Sequence, residues 1–342
     1  MVAPPGVDPQ GQLLQRPRSV GYALAVMVVL IMVEALGEVV PLSGPGSLYQ
    51  VWLHDGVVLA AAALMLLRSA YEPTGRAAWL LMGVATALWG AGSVAWSLAY
   101  DGTATPPFPS FADVTWLLWY PLVAAGIALL IRTHVRRFEL HRWLDGVAVM
   151  LLVLAAGFAI VIEPVSHEAD LGTFATVVDF SYPVLDLLLI GAILGVYGLL
   201  GWRPDRMWLL LGLGVVASAS VDAVFAVQAA HRLVDDHPYD FVWTLAAFLL
   251  AAAAWATPSG DDEHLEVTGV RAIALVLVAQ AVAAGIQVYA LFGELGRSER
   301  IVTLLVLILT SVQIVLARPR PSGDTRPDAQ READPPAPRP AG

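Results

Sequence analysis

Ten stretches of this chain are apolar over enough residues to cross a lipid bilayer, and they leave little sequence for anything else. A spanning helix needs roughly 20 mainly apolar residues, because a hydrocarbon core about 30 Å thick is crossed at about 1.5 Å per residue. The stretches are Val20 to Val40, Val51 to Leu67, Ala77 to Tyr100, Val114 to Ile131, Trp143 to Ile162, Phe180 to Leu200, Met207 to Ala230, Phe241 to Ala256, Val270 to Phe292 and Ile301 to Leu316. With 58% hydrophobic and 14% charged residues, the composition is not that of a soluble domain. The expected fold is all-α: a polytopic membrane helical bundle of about ten transmembrane helices, with eight or nine spans as the alternative count.

Orientation follows from arginine, since the chain has no lysine. Arg16 and Arg18 precede the first span, Arg68 and Arg76 follow the second, Arg132, Arg136, Arg137 and Arg142 join the fourth and fifth, and Arg203 and Arg206 join the sixth and seventh. The intervening loops PLSGPGSLYQ and DGTATPPFPS contain none. The positive-inside rule then puts both termini in the cytoplasm of a bacterial inner membrane, although Arg297 and Arg300 in the last outer loop run against it. Residues 1–18 are expected to be a cytoplasmic segment, 19–316 the transmembrane domain, and 317–342 a disordered tail rich in proline and arginine. The first span lacks a small-x-small cleavage site and reads as an uncleaved anchor.

An internal repeat organises the spans. RAAWLLMG at Arg76 matches DRMWLLLG at Asp205, aligning Trp79 with Trp208 and Gly83 with Gly212. DVTWLL at Asp113 matches DFVWTL at Asp240, aligning Trp116 with Trp243. The offsets are 129 and 127 residues. The expected units are therefore residues 19–132 and 142–256, parallel in the membrane because each holds four spans, followed by two terminal helices in 268–316. Tryptophan at the membrane interface is a competing explanation for the match. In this alignment Asp222 falls opposite Ser93.

Carboxylates inside the spans are the candidate functional groups. Asp222 lies roughly 24 Å along the seventh span, where an ionised acid must face the bundle, pair, or carry a proton. Gly214, Ser218 and Asp222 share one face, the kind that small residues present to another helix. Glu34 and Glu38, one turn apart on the first span, approach the same outer level, as does Asp186 on a stripe with Asp179 and Tyr182. Asp55, Asp113 and Asp240 sit at expected helix starts, where an acid caps the helix and complements its dipole. The expectation is an outward-facing acidic cavity built from Glu34, Glu38, Asp186, Asp222 and Tyr182, taking a proton or small cationic ligand.

Other chemistries lack a signature. His54, His167, His231 and His237 form no HExxH or HxxxH pair, so no metal is expected. There is no Walker loop and no nucleophile elbow, so neither a cofactor nor an enzymatic role is expected. The few arginines are accounted for by topology, which leaves no nucleic-acid partner. Absence of cysteine excludes disulfides and thiolate sites.

Four segments, SFADVTWLLWYPLVAAGIALLIR at Ser110, RWLDGVAVML at Arg142, SYPVLDLLLIGAIL at Ser181 and GWRPDRMWLLLGLGVVASASVDAVFAV at Gly201, together resemble the multi-pass N-terminal sensory region of bacterial membrane-bound GGDEF and EAL proteins of cyclic di-GMP signalling. The matching positions are Tyr120, Pro121, Tyr182, Pro183, Asp186 and Asp222, while Asp113, Trp116, Asp240 and Trp243 carry the internal repeat. No GGDEF sequence occurs, and the EAL triplet at Glu34 lies within the first span. The resemblance implies a sensor-like membrane module that signals to a separate cytoplasmic protein, with transport of a cation or a ligand-free scaffold as rival roles. Pro121 and Pro183 are expected either to bend their helices or to occupy a first turn.

Overall fold

Apolar side chains and an internally satisfied backbone together demand helices, because lipid offers the amide groups no partner. A computed structural model describes residues 17–39, 46–71, 73, 75–100, 103, 107–134, 173–200, 203–230, 239–256 and 308. Within them the chain forms seven helices and no strand: α1 (Arg18–Val39), α2 (Gly46–Tyr71), α3 (Arg76–Tyr100), α4 (Phe111–His134), α5 (Thr173–Leu199), α6 (Arg206–Ala230) and α7 (Phe241–Ala254). The first six are long and apolar enough to cross a membrane. The seventh has 14 residues, about 21 Å of helix, and is too short to do so unaided. The expected fifth, ninth and tenth spans lie outside the described residues, apart from Ile308.

Each helix packs against its neighbours in a fixed order. The sequence of contacts runs from α1 to α2, α3 and α4, and from α5 to α6 and α7. The two groups meet along two seams, α4 against α5 and α2 against α7, with α1 also touching α7. Buried residues from both groups join in one core, among them Met65, Met82, Val123, Ile193, Leu211 and Leu250. Exposed Val26, Val29, Met32 and Leu36 on α1 give that helix an apolar outer face suited to lipid.

Close approach depends on glycine at matching places in the two groups. A side chain at Gly83 would meet Leu66 of α2 at 2.8 Å, and one at Gly212 would meet Ile193 of α5 at 2.8 Å and collide with the Tyr197 hydroxyl. Both glycines therefore let the helix bearing the buried Trp79 or Trp208 lie against the preceding one. Gly75 turns the chain from α2 into α3 with φ of 71°, a left-handed conformation that glycine adopts freely.

The short helix α7 is held at both ends by charged side chains from the first group. Glu38 Oε1 accepts the N–H of Phe241, the first residue of α7, at 2.9 Å. At the other end Arg68 Nε donates to the Ala254 carbonyl at 2.7 Å and its guanidinium lies 5.7 Å from the Trp255 ring centre. Acid at the N-terminus and base at the C-terminus both suit the helix dipole.

Gly83→Val is expected to lower thermal stability by about 1–3 kcal/mol, the cost of overfilling a closed contact. Gly56, where an added methyl meets nothing within 4 Å, should tolerate alanine without loss. Thermal unfolding of the two variants in detergent, read by intrinsic fluorescence, checks the pair.

Candidate functional site

Aspartate and glutamate side chains buried among these helices must find donors, and they find them on other helices. On α6, Asp222 accepts the indole N–H of Trp243 on α7 at 2.8 Å through Oδ1, and the hydroxyl of Tyr120 on α4 at 3.2 Å through Oδ2. Asp186, on α5 and only 4% exposed, stands beside Asp222 and Tyr120. Its Oδ2 is buried without a hydrogen-bond partner. Tyr182, one turn earlier on α5, donates to Asp113 Oδ1 on α4 at 2.7 Å, and its ring stands edge-on to Tyr120 at 6.3 Å.

A second cluster surrounds Glu34 on α1, which is 2% exposed. His54 Nδ1 on α2 is 3.1 Å from Glu34 Oε1, and the Thr244 hydroxyl on α7 is 2.7 Å from Oε2. The same hydroxyl is 2.8 Å from the Phe241 carbonyl, so its single hydrogen serves one acceptor at a time. The two clusters touch through α7. Trp243 bonds Asp222 and its ring meets His54 edge-on at 6.4 Å, while the adjacent Thr244 reaches Glu34. One polar network thus involves α1, α2, α4, α5, α6 and α7, and it bridges both seams.

Several expected roles change. Asp55 is not at a helix start, because α2 begins at Gly46; it is buried further along the helix and takes a 3.4 Å hydrogen bond from Ser97. Asp240 stands at the start of α7 but makes no side-chain cap bond. That end is served by Glu38 instead, an acid the sequence does not suggest as a cap because its target lies 203 residues away. At α4, Ser110 is the cap, accepting the Ala112 N–H, while Asp113 accepts the Ser110 N–H in return, a reciprocal arrangement typical of helix starts. Because α5 starts at Thr173, Asp186 and Pro183 sit well inside it, and Pro121 lies equally deep in α4. Neither proline occupies a first turn. Each interrupts the helical hydrogen-bond ladder next to a network tyrosine.

The small face of α6 behaves as expected. A methyl at Gly214 would stand 3.1 Å from the Ala246 carbonyl of α7, and Ser218 is buried on the same side. His54 and Thr244 were not legible as site residues. A histidine near a helix start and a threonine beside a tryptophan are ordinary in sequence, and only the crossing of α1, α2 and α7 gives them a partner.

The first group contains a counterpart to the Trp243–Asp222 bond. Trp116 of α4 donates its indole N–H to Ser93 of α3 at 3.3 Å. Trp116 and Trp243 are the tryptophans paired by the sequence match, and Ser93 is the residue that match sets opposite Asp222. A cavity of about 340 Å³ lies elsewhere, lined by Leu24, Leu210, Phe248 and Trp255 and by Arg206 at the far end of α6. Its lining residues on α6, Arg206 and Leu210, precede Asp222 by sixteen and twelve residues, roughly 24 and 18 Å, and none of the lining residues belongs to the acid network. Among the described residues no group of three or more metal-ligating side chains comes together.

No family model, curated protein or solved structure matches this chain.

Thr244→Val removes a donor to Glu34 without changing shape much. It is expected to destabilise the protein by on the order of 1 kcal/mol, in line with polar contacts between membrane helices. A double-mutant cycle with Glu34→Gln, followed by thermal unfolding, should give a coupling of about 0.5 kcal/mol or more if the contact carries that cost.

Proposed function

We propose that the chain is a non-enzymatic sensor-like membrane module of the bacterial inner membrane, in which the Glu34, His54, Asp186 and Asp222 network takes up a proton or a small cationic ligand from the outer side and relays its state to a separate cytoplasmic signalling protein. In this reading both termini are cytoplasmic, the full count is about ten spans, and the helices form two parallel four-helix units plus a terminal pair. The matched indole bonds of Trp116 and Trp243, and the pairing of α4 with α5 and of α2 with α7, support the duplication. The resemblance to sensory regions of cyclic di-GMP proteins supports a signalling output.

One observation carries the reading: Glu34 of α1 and Asp222 of α6 are tied through Trp243, Thr244 and Tyr120, with buried Asp186 of α5 beside Asp222, across both seams between the two groups. Acids within a membrane are costly, and a purely structural bond between two helices needs only one of them. A connected set spanning six helices instead makes the relative position of the groups depend on the charge held there. That is the property a sensor needs.

Transport of a cation is the second reading, favoured by Pro121 and Pro183. Both break the ladder of a helix beside the network, which eases bending around the site.

Methylammonium and pH steps are suitable probes for full-length protein in liposomes. The sensor reading expects a probe-dependent shift in thermal stability, lost in Asp222→Asn and in Glu34→Gln, with no uptake. Gradient-driven uptake that Asp222→Asn abolishes would establish the transporter. A response identical in wild type and both variants would leave only a scaffold.

A further inference from the structure

We propose that Asp186 and Asp222 form a carboxyl pair holding one exchangeable proton, carried by Asp186, and that this proton is the ligand of the network. The proposal rests on the sensing role argued above and names what is sensed.

The hydrogen-bond directions distribute the roles. Both oxygens of Asp222 already accept, one from an indole N–H and one from a phenol O–H. An indole nitrogen can only donate, so Trp243 fits an ionised carboxylate and disfavours a cation at that oxygen. Asp186 is placed differently. It lies against Asp222, it is almost fully buried, and its Oδ2 has no partner. Two adjacent carboxyl groups in an apolar bundle do not both stay ionised; a proton on one converts repulsion into a hydrogen bond. Asp222 already takes two donors that suit its ionised form and keeps lone pairs free for a third, so Asp186 is the member that carries the proton and donates it to Asp222.

The groups facing Asp186 are few. Tyr120 faces it from α4 and Asp222 from α6, while Tyr182 and Asp179 lie on its own helix and are directed to Asp113 of α4. Arg132 and Arg206 stand at the far ends of α4 and α6 and do not neutralise the pair. Divalent metal is disfavoured because the groups bonded to Asp222, Trp243 and Tyr120, act as donors, and among the described residues no three ligating side chains converge.

When the proton leaves, the O–H bond of Asp186 breaks, the electron pair stays on its oxygen, and water takes the proton. Two carboxylates then face each other across the α5–α6 contact. Relief requires those helices to part, and Pro183, three residues before Asp186, weakens α5 where it must yield. Movement of α6 would draw on Trp243, and through α7 on Glu34 and His54.

The first group supplies its own control. Ser93 accepts an indole N–H at the position matching Asp222, so Asp222→Ser keeps an acceptor for Trp243 while removing the charge.

Infrared spectra of full-length protein in lipid nanodiscs test the pair directly. Wild type should show a carboxylic-acid C=O band at neutral pH that moves to lower frequency in D2O. Asp186→Asn should remove that component, and Asp222→Ser should retain it at higher frequency, because the acid loses its acceptor. Absence of the band, insensitivity to D2O, or loss in Asp222→Ser with survival in Asp186→Asn would overturn the proposal. So would its disappearance on adding sodium at constant pH, which would make a metal cation the occupant. Should Asp186→Asn not fold, the D2O shift and the Asp222→Ser spectrum still separate these outcomes. If the acid band is missing while Asp222→Asn still abolishes the probe-dependent stability shift, the proton pair falls and the sensing role stands. If the band behaves as described but no pH step or probe changes stability, the sensing role falls alone.

Discussion

A carboxylate removed from water must be answered by a donor or a proton, and most of the hydrogen bonds between the two helix groups follow from that requirement. Glu34, Glu38, Asp113 and Asp222 each receive a hydrogen bond from another helix or from another helix's backbone. Hydrophobic side chains can slide past one another at small cost, since lipid tails and neighbouring helices are equally apolar. Directional bonds to buried acids cannot. The acids therefore fix register and rotation in a bundle whose remaining surface is mostly alanine, valine and leucine.

Helix α7 shows how far that control reaches. Alone it is too short to span the membrane, and its almost wholly apolar sequence gives it no preferred face. Its position comes from others: Glu38 at one end, Arg68 at the other, and Trp255 donating to the Leu64 carbonyl at 3.0 Å beside it. Two successive residues then point to different acids, Trp243 to Asp222 and Thr244 to Glu34. A change of charge at either acid acts on the same rigid turn. Coupling between the sites needs no long pathway, only a helix short enough to move as a unit.

Helical class, membrane character and the placement of six spans were legible from apolar run length alone. Glu34 and Asp186 were legible as acids inside apolar runs, whereas Asp55 and Asp113, equally buried, read as helix-start caps. What sequence could not supply was partnership. Asp55 and Asp240 look alike as helix-start acids, yet one is buried against Ser97 and the other makes no cap, since α2 begins earlier than its apolar run and α7 is capped from α1. Glu38, His54 and Thr244 acquire meaning only where helices distant in sequence cross. The repeat was the one long-range signal available, and its paired tryptophans do make the same kind of bond.

Differences between the two groups matter more than their likeness. In the first group an indole meets a serine, whose hydroxyl also donates back to the Trp89 carbonyl at 3.2 Å, leaving a neutral, self-contained contact. In the second the same place holds an aspartate, and a second carboxyl from α5 stands beside it. A scaffold requires only the first arrangement, which already provides a directional bond between neighbouring helices. Adding a carboxylate there gains one bond that serine lacks, from Tyr120 of α4, and raises the cost of burial. Under the sensing role proposed above, the second group differs from the first in holding a charge between its helices, where the first holds a neutral serine contact.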